Sequence, residues 1–229
     1  AVPLSTTLDT ACAMTRSVSD AIVVHEILAA QRVTRSQAPL SQYRLAVPTT
    51  VFTEGMDTTV ARAFERTLSA LRAAGATIDT IEIPAVREQH SYGFAAPEAY
   101  AWHRALLAQA ANRYDPRVRT RIERGATLMA FEYIALIEMR KSWVAHMQAC
   151  IAGYDAMLSP TVPIVAPLLS DVAPADGVDP AQDSARDAAF FNVNNLLLRN
   201  TSIINLLDGC ALSLPCHVQG ELPVGLMVW

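Results

Sequence analysis

Apolar and polar positions in the first third of the chain change period three times, and each change predicts an element. Ser17, Val18, Ser19 and Asp20 lead into the apolar run Ala21 to Leu28. Ser17 is placed to accept from first-turn amides and Asp20 sets negative charge at the positive end of the helix dipole, so a helix to about Gln31 is expected. Residues 44–48 form a short apolar strand closed by Pro48, which cannot donate to a ladder. Asp57 is a good N-cap for a helix with Val60, Ala63, Phe64, Thr67, Leu68, Leu71 and Ala74 at helical spacing, and Gly75 is placed to stop it. Residues 77–84 alternate with period two, as a half-buried strand does. Strand, helix and strand in this order predict a βαβ-like unit over residues 44–84, with parallel pairing and a right-handed crossover.

Residues 97–153 read as a helical layer. Its pieces are 97–111, with Pro97 suited to a first turn, then 116–124, then 128–152. In the last piece Leu128, Phe131, Ala135 and Trp143 keep no single stripe, which predicts burial on more than one side. Residues 154–163 form an apolar strand that breaks into a proline-punctuated loop, and 171–187 is the most loop-like stretch. Helix returns at 190–207, and closing strands follow within 210–229, at 210–216 and 224–229 around a turn at 217–223. The first segment reads as the middle of something and the last residue falls in a strand. The expected fold is therefore α/β, a mixed sheet covered by helices, within one domain over 1–229 that is incomplete at both ends.

Composition narrows the function classes. The 229 residues are 52% hydrophobic and 17% charged, which describes a chain with a real core. The net charge of -4, with arginines interleaved among acids, gives no nucleic-acid footprint. Apolar runs fall far short of the roughly 20 residues that span a bilayer, so no membrane contact is expected. Cys12, Cys150, Cys210 and Cys216 show no C-x-x-C spacing and sit in apolar surroundings, predicting buried free thiols in a reducing, cytoplasmic compartment. His25, His90, His103, His146 and His217 are not spaced as a metal set.

The chain carries no G-x-S-x-G, H-E-x-x-H, phosphate loop or G-x-G-x-x-G. Cys216 beside His217 suggests a nucleophile and base, but adjacent strand side chains diverge, and a packed thiol beside a turn histidine is preferred. Arg119, Arg121 and Arg124 suit either an anion clamp or, preferably, a solvated helix face. Asp9 is either a pocket wall or, preferably, a turn-maker bonded to the backbone.

Three stretches together resemble the amidase signature family. The first, Pro3-Leu4-Ser5-Thr6-Thr7-Leu8-Asp9-Thr10 continuing through Met14-Thr15-Arg16-Ser17-Val18-Ser19-Asp20-Ala21, is similar to P-L-S-x-x-L-D-x-x-G-P-M-A-R-S-V-x-D-A. The second, Tyr154-Asp155-Ala156-Met157-Leu158-Ser159-Pro160-Thr161-Val162-Pro163, is similar to Y-D-x-L-L-x-P-T-x-P. The third joins Asn205 and Cys210-Ala211-Leu212-Ser213-Leu214-Pro215-Cys216 to Leu222-Pro223-Val224-Gly225-Leu226-Met227, like N-x-x-G-x-P-A-x-S-L-P-C followed by L-P-V-G-L-Q. Their order and gaps cover nearly the whole chain. It departs from the family at Ala11-Cys12-Ala13 and Asp208-Gly209-Cys210, which points to a divergent branch.

The resemblance implies amide hydrolysis through a serine, a cis-serine and a lysine, with a serine acyl-enzyme and no cofactor. In the family all three precede the point where this chain begins, so no catalytic residue is expected here. Lys141, the only lysine, lies in a predicted helix unlike the family's lysine strand and is assigned no role. Asp9 and Thr10 are implied to approach the site, and Thr161, Asn195 and Arg199 are candidates for walls of the substrate cleft. The implied partners are a small-molecule amide and the missing N-terminal half, with self-association through exposed sheet also open. Esters and carbamates are alternative substrates, and a truncated, non-catalytic binding or structural module is the alternative from another class.

Overall fold

The computed structural model describes residues 2–88 and 91–229, so His90 lies outside the described residues. Five strands form one sheet in the order β2-β1-β3-β5-β4. β1 (Arg44–Pro48), β2 (Thr77–Ile81) and β3 (Ala156–Pro160) run parallel, while β5 (Gly225–Val228) is antiparallel to both β3 and β4 (Leu212–Pro215). The mixed sheet agrees with the expected fold class, and the parallel βαβ unit is present. β2 is three residues shorter than its alternating pattern, because Pro84 opens a 3-10 turn over Pro84–Glu88 and Ile83 N–H leaves the ladder for Thr50 Oγ1 at 3.0 Å.

α1 (Val18–Ala29) starts at Ser17, which accepts from Asp20 N–H, and ends where Ala30 turns left-handed with φ 51°. α2 (Thr58–Ala73) starts at Asp57, whose carboxylate accepts from Val60 N–H at 2.7 Å and also from Val165 N–H at 2.7 Å. One capping residue therefore starts α2 and holds the loop that follows β3. Gly75, at φ 97°, provides the left-handed exit from α2.

Side chains alternate across the sheet, and helices cover both faces. Leu45 and Val47 of β1, Leu158 of β3 and Leu226 of β5 pack with Phe64 and Leu68 of α2. On the other face Met227 of β5 packs with Phe52, Ile83, Trp143, Met147, Ile203 and Ile204, the last four supplied by two long helices, α5 (Ala130–Ile151) and α6 (Pro180–Leu206).

Four expectations need correction. α3 spans Ser91–Ala110, so Pro97 stands inside the helix and not in its first turn. A 3-10 turn, Arg124–Thr127, after α4 (Pro116–Glu123) lies against it there, and a Cβ on Gly125 would fall on the Ala96 carbonyl. The proline withholds the amide that would donate to the Gly93 carbonyl, and the second backbone packs against the Ala96–Pro97 peptide. α6 begins at Pro180, so residues 180–187 of the expected loop are helical. The Asp179 carboxylate caps the Ala181 and Gln182 amides, with proline in the tolerated first turn.

α5 buries only Trp143 and Met147, leaving Phe131, Ile134 and Met139 exposed, so its missing stripe reflects exposure where burial on several sides was expected. Cys12, Cys150 and Cys210 are exposed and Cys216 is half-buried, because their apolar sequence neighbours lie on surfaces without cover.

Candidate functional site

The sheet and α6 meet around two carbonyls, and a residue overlooked in the sequence joins them. Asn200 is fully buried; its amide Nδ2 donates to Phe52 O at 3.0 Å and to Pro160 O at 2.8 Å. Phe52 lies in the turn after β1 and Pro160 ends β3, so one side chain of α6 ties together the carboxyl ends of two parallel strands. Beside it, Arg199 donates through Nε to Asn200 Oδ1 at 3.1 Å, and burial lowers the pKa of its guanidinium. Thr161 follows Pro160 directly. Its hydroxyl lies 2.6 Å from Ser213 Oγ of β4, and its N–H donates to Gly225 O at 2.8 Å. The hydroxyl pair passes over Gly225, where a Cβ would come within 2.6 Å of both oxygens.

Thr161 and Arg199 are therefore brought into one connected group through Pro160 and Asn200. Asn195 is exposed on α6 and Thr10 is exposed in the first segment. Asp9 turns its carboxylate back on the chain, accepting from Leu4 N–H at 2.9 Å and Ser5 N–H at 3.1 Å. The segment reaches α6 at the next residue back, where Asn205 Nδ2 donates to Leu8 O at 3.0 Å.

A second polar centre lies under the first segment. Glu98 of α3 is 7% exposed and accepts from Ser5 Oγ, from Thr7 N–H at 3.0 Å, from Thr7 Oγ1 at 2.5 Å and from Tyr133 OH of α5. Burial pushes the Glu98 carboxyl up, and these donors together outweigh it and hold the group below its ordinary value. Five residues further along α3, His103 bridges Tyr114 OH at 2.7 Å and Pro3 O at 2.8 Å. The sequence offered one hint of Glu98, a lone acid amid apolar helix. Asn200 gave no such hint, because it sits within the polar run Arg199-Asn200-Thr201-Ser202.

The other candidates do not assemble. Arg121 and Arg124 are exposed and Arg119 lies 3.6 Å from Glu123, whereas the neighbouring Arg117 is buried, donating to Asp187 at 2.6 Å and to the Val172 and Ala173 carbonyls. His217 Nδ1 accepts from Val224 N–H at 3.3 Å, away from Cys216, whose thiol is pushed up by burial. An open cleft of about 350 Å³ at the carboxyl ends of β1 and β2 is lined by Thr49, Thr50, Thr53, Glu54, Glu82, Pro84 and Arg87, and none of the expected site residues borders it. Among the described residues no three His, Cys, Asp or Glu side chains are placed to share a metal, and no helix is long and apolar enough to cross a membrane.

The Amidase family profile matches residues 1–229. The chain belongs to the Amidase family. It is 32% identical to the 2-amino-5-chloromuconic acid deaminase of Comamonas testosteroni over 246 aligned positions, covering 99% of this chain and 48% of that protein. It is 25% identical to the indoleacetamide hydrolase of Agrobacterium vitis, covering 99% of this chain and 51% of that one. Among solved folds, a crystal structure of an amidase superposes with a TM-score of 0.79 at 27% identity, over 99% of this chain and 50% of the other. The chain thus spans about half the length of the Amidase family relatives it matches, and its sheet and helices form about half of the amidase fold.

Proposed function

We propose that this chain is the later part of an amidase, a hydrolase of C–N bonds other than peptide bonds, and that its catalytic serine, cis-serine and lysine lie upstream of residue 1. The observation that carries this reading is the family match along the whole chain against half of each relative. Surface area supports it. A compact monomer of 24.8 kDa exposes about 10,000 Å² on general scaling, whereas this chain exposes 14298 Å². The excess includes α1, none of whose residues is buried although Val18, Val23, Ile27 and Leu28 are apolar.

In this reading the upstream serine attacks the amide carbonyl and the amine leaves with a proton, giving an acyl-enzyme that water then hydrolyses. This chain supplies a wall of the acyl pocket around Thr161, Asn200 and Arg199, with Asp9 and Thr10 on the approach from the nucleophile segment and Asn195 at the outer rim. The substrate is a small amide, and the enzyme works in the cytoplasm, where the exposed Cys12, Cys150 and Cys210 stay reduced. Residues 1–229 and the upstream half make one domain.

The test is to express the polypeptide with its upstream coding sequence, assay release of amine or ammonia from a panel of amides, and label it with a serine-directed fluorophosphonate. Hydrolysis is expected from the long form only, with the labelled peptide upstream of residue 1. A label on a serine within 1–229, or turnover by 1–229 alone, would overturn the assignment.

A further inference from the structure

Irregular segments usually leave polar atoms to water, yet residues 3–8 have a partner at every residue. His103 holds the Pro3 carbonyl, Asp9 accepts from the Leu4 and Ser5 amides, and Trp102 Nε1 donates to Thr6 Oγ1 at 3.0 Å. Ser5 Oγ accepts from Leu8 N–H at 3.0 Å, and Asn205 holds the Leu8 carbonyl. Glu98 is the hub, with donors from Ser5, Thr7 and Tyr133, and no arginine, lysine or histidine pairs with it among the described residues. A buried carboxylate without a counter-charge is a costly way to stabilise a fold, and an apolar side chain packed there would do so with less penalty. What the carboxylate supplies is a single conformation, since it is satisfied only when the Ser5 and Thr7 donors face it together.

We infer that Glu98 is a positioning residue, which fixes the course of residues 3–9 through Ser5 and Thr7 and so sets the place of the segment that leads into residue 3. The inference rests on the proposed amidase reading, in which that segment carries the nucleophile. Slack at residues 5–7 then becomes an error in where the nucleophile and the oxyanion donors stand, and a displacement near 1 Å costs on the order of 100-fold in rate. Glu98 touches no substrate; it acts through the backbone it holds.

The test uses the full-length polypeptide with Glu98→Gln, and with Tyr133→Phe and Thr7→Val as milder variants that each remove one donor while the carboxylate stays. Hydrogen exchange at the amides of residues 4–9 reads the clasp whether or not the enzyme turns over, and kcat and KM on an amide read positioning. Glu98→Gln places an amide N–H₂ against hydroxyl donors, and is expected to raise exchange at residues 4–9 by about tenfold or more. It should also lower kcat by roughly 100-fold while KM stays within about threefold. The milder variants should move both readouts in the same direction by less, and they decide the matter if Glu98→Gln does not fold. Exchange that stays unchanged, or exchange that rises while kcat holds, overturns the positioning role. A wild type inert to every amide sinks the amidase reading and the role with it, while exchange still reports the clasp.

Discussion

At the scale of single residues, the strongest demands come from buried polar groups that serve carbonyls far away in sequence. Asn200→Ala removes the Nδ2 donor from both the Phe52 and the Pro160 carbonyl, leaving Phe52 O only the 3.4 Å contact from Arg199 Nη2, and each such loss costs about 1–3 kcal/mol. Urea unfolding should therefore show a loss of about 2–5 kcal/mol, and Asn200→Asp should be no better, because it supplies an acceptor to two acceptors. Lys141 makes the opposite case. It is exposed and paired with Glu138 at 2.7 Å, so Lys141→Ala should leave kcat/KM of the full-length enzyme within about twofold, surface changes of this kind being nearly neutral. A loss of several orders of magnitude would place a triad lysine in this chain. Asn200 gave no sign of its role in the sequence, and Glu98 gave only that of a lone acid in an apolar helix. Their partners lie 35 to 148 residues away in sequence, and local pattern carries no record of such pairings.

At the scale of elements, the hairpin of β4 and β5 depends on a glycine and on an ion pair. Gly225→Ala would drive a methyl to within 2.6 Å of the Thr161 and Ser213 hydroxyls, and should destabilise by about 1–3 kcal/mol as overpacking does, read as a lowered Tm. Ser213→Ala in the same chain should recover part of the loss.

Glu221, in the turn between these strands, pairs with Arg66 of α2 at 2.8 Å, and the Arg66 guanidinium holds its carboxyl down from 4.5 to about 2. A depressed carboxylate stabilises above its unfolded value and loses that contribution as pH falls through its folded value. The stability difference between wild type and Glu221→Gln should therefore be constant from neutrality down to about pH 5, shrink between about pH 4.5 and 2, and vanish below. An exposed pair contributes little, so titration of the carboxylate by NMR is the more sensitive readout.

Element boundaries were legible where the cause was local, as with Ser17, Asp57 and Gly75. They were missed where a distant backbone decided the outcome, as at Pro97 against Gly125, or where a cap stood within a loop-like composition, as at Asp179.

At the scale of the whole molecule, apolar surface without cover is the main feature. Met14, Ile27, Phe131 and Ile134 are more than half exposed, alongside Trp102 and Leu106 of α3. Residues 1–229 produced alone should bind a hydrophobic dye and self-associate, and co-production of the upstream half should suppress both, as read by dye fluorescence and light scattering. A 1–229 chain that stays monomeric and dye-silent would favour an independent module. The same surface explains why cysteine burial was misjudged: apolar neighbours in sequence predict burial only when the partner that covers them is present.

The strand order has a consequence for synthesis. β5 is made after β4 but sits inboard of it, so β3 leaves the ribosome with one edge open and must wait for the whole of α6, β4, the hairpin turn and Gly225 to follow. At about 5–20 residues per second that wait lasts several seconds, during which β1, β2 and α2 can already close on one side. The nascent chain thus carries a half-built sheet whose bare strand, Ala156–Pro160, is guarded against wrong pairing chiefly by its brevity and its terminal proline.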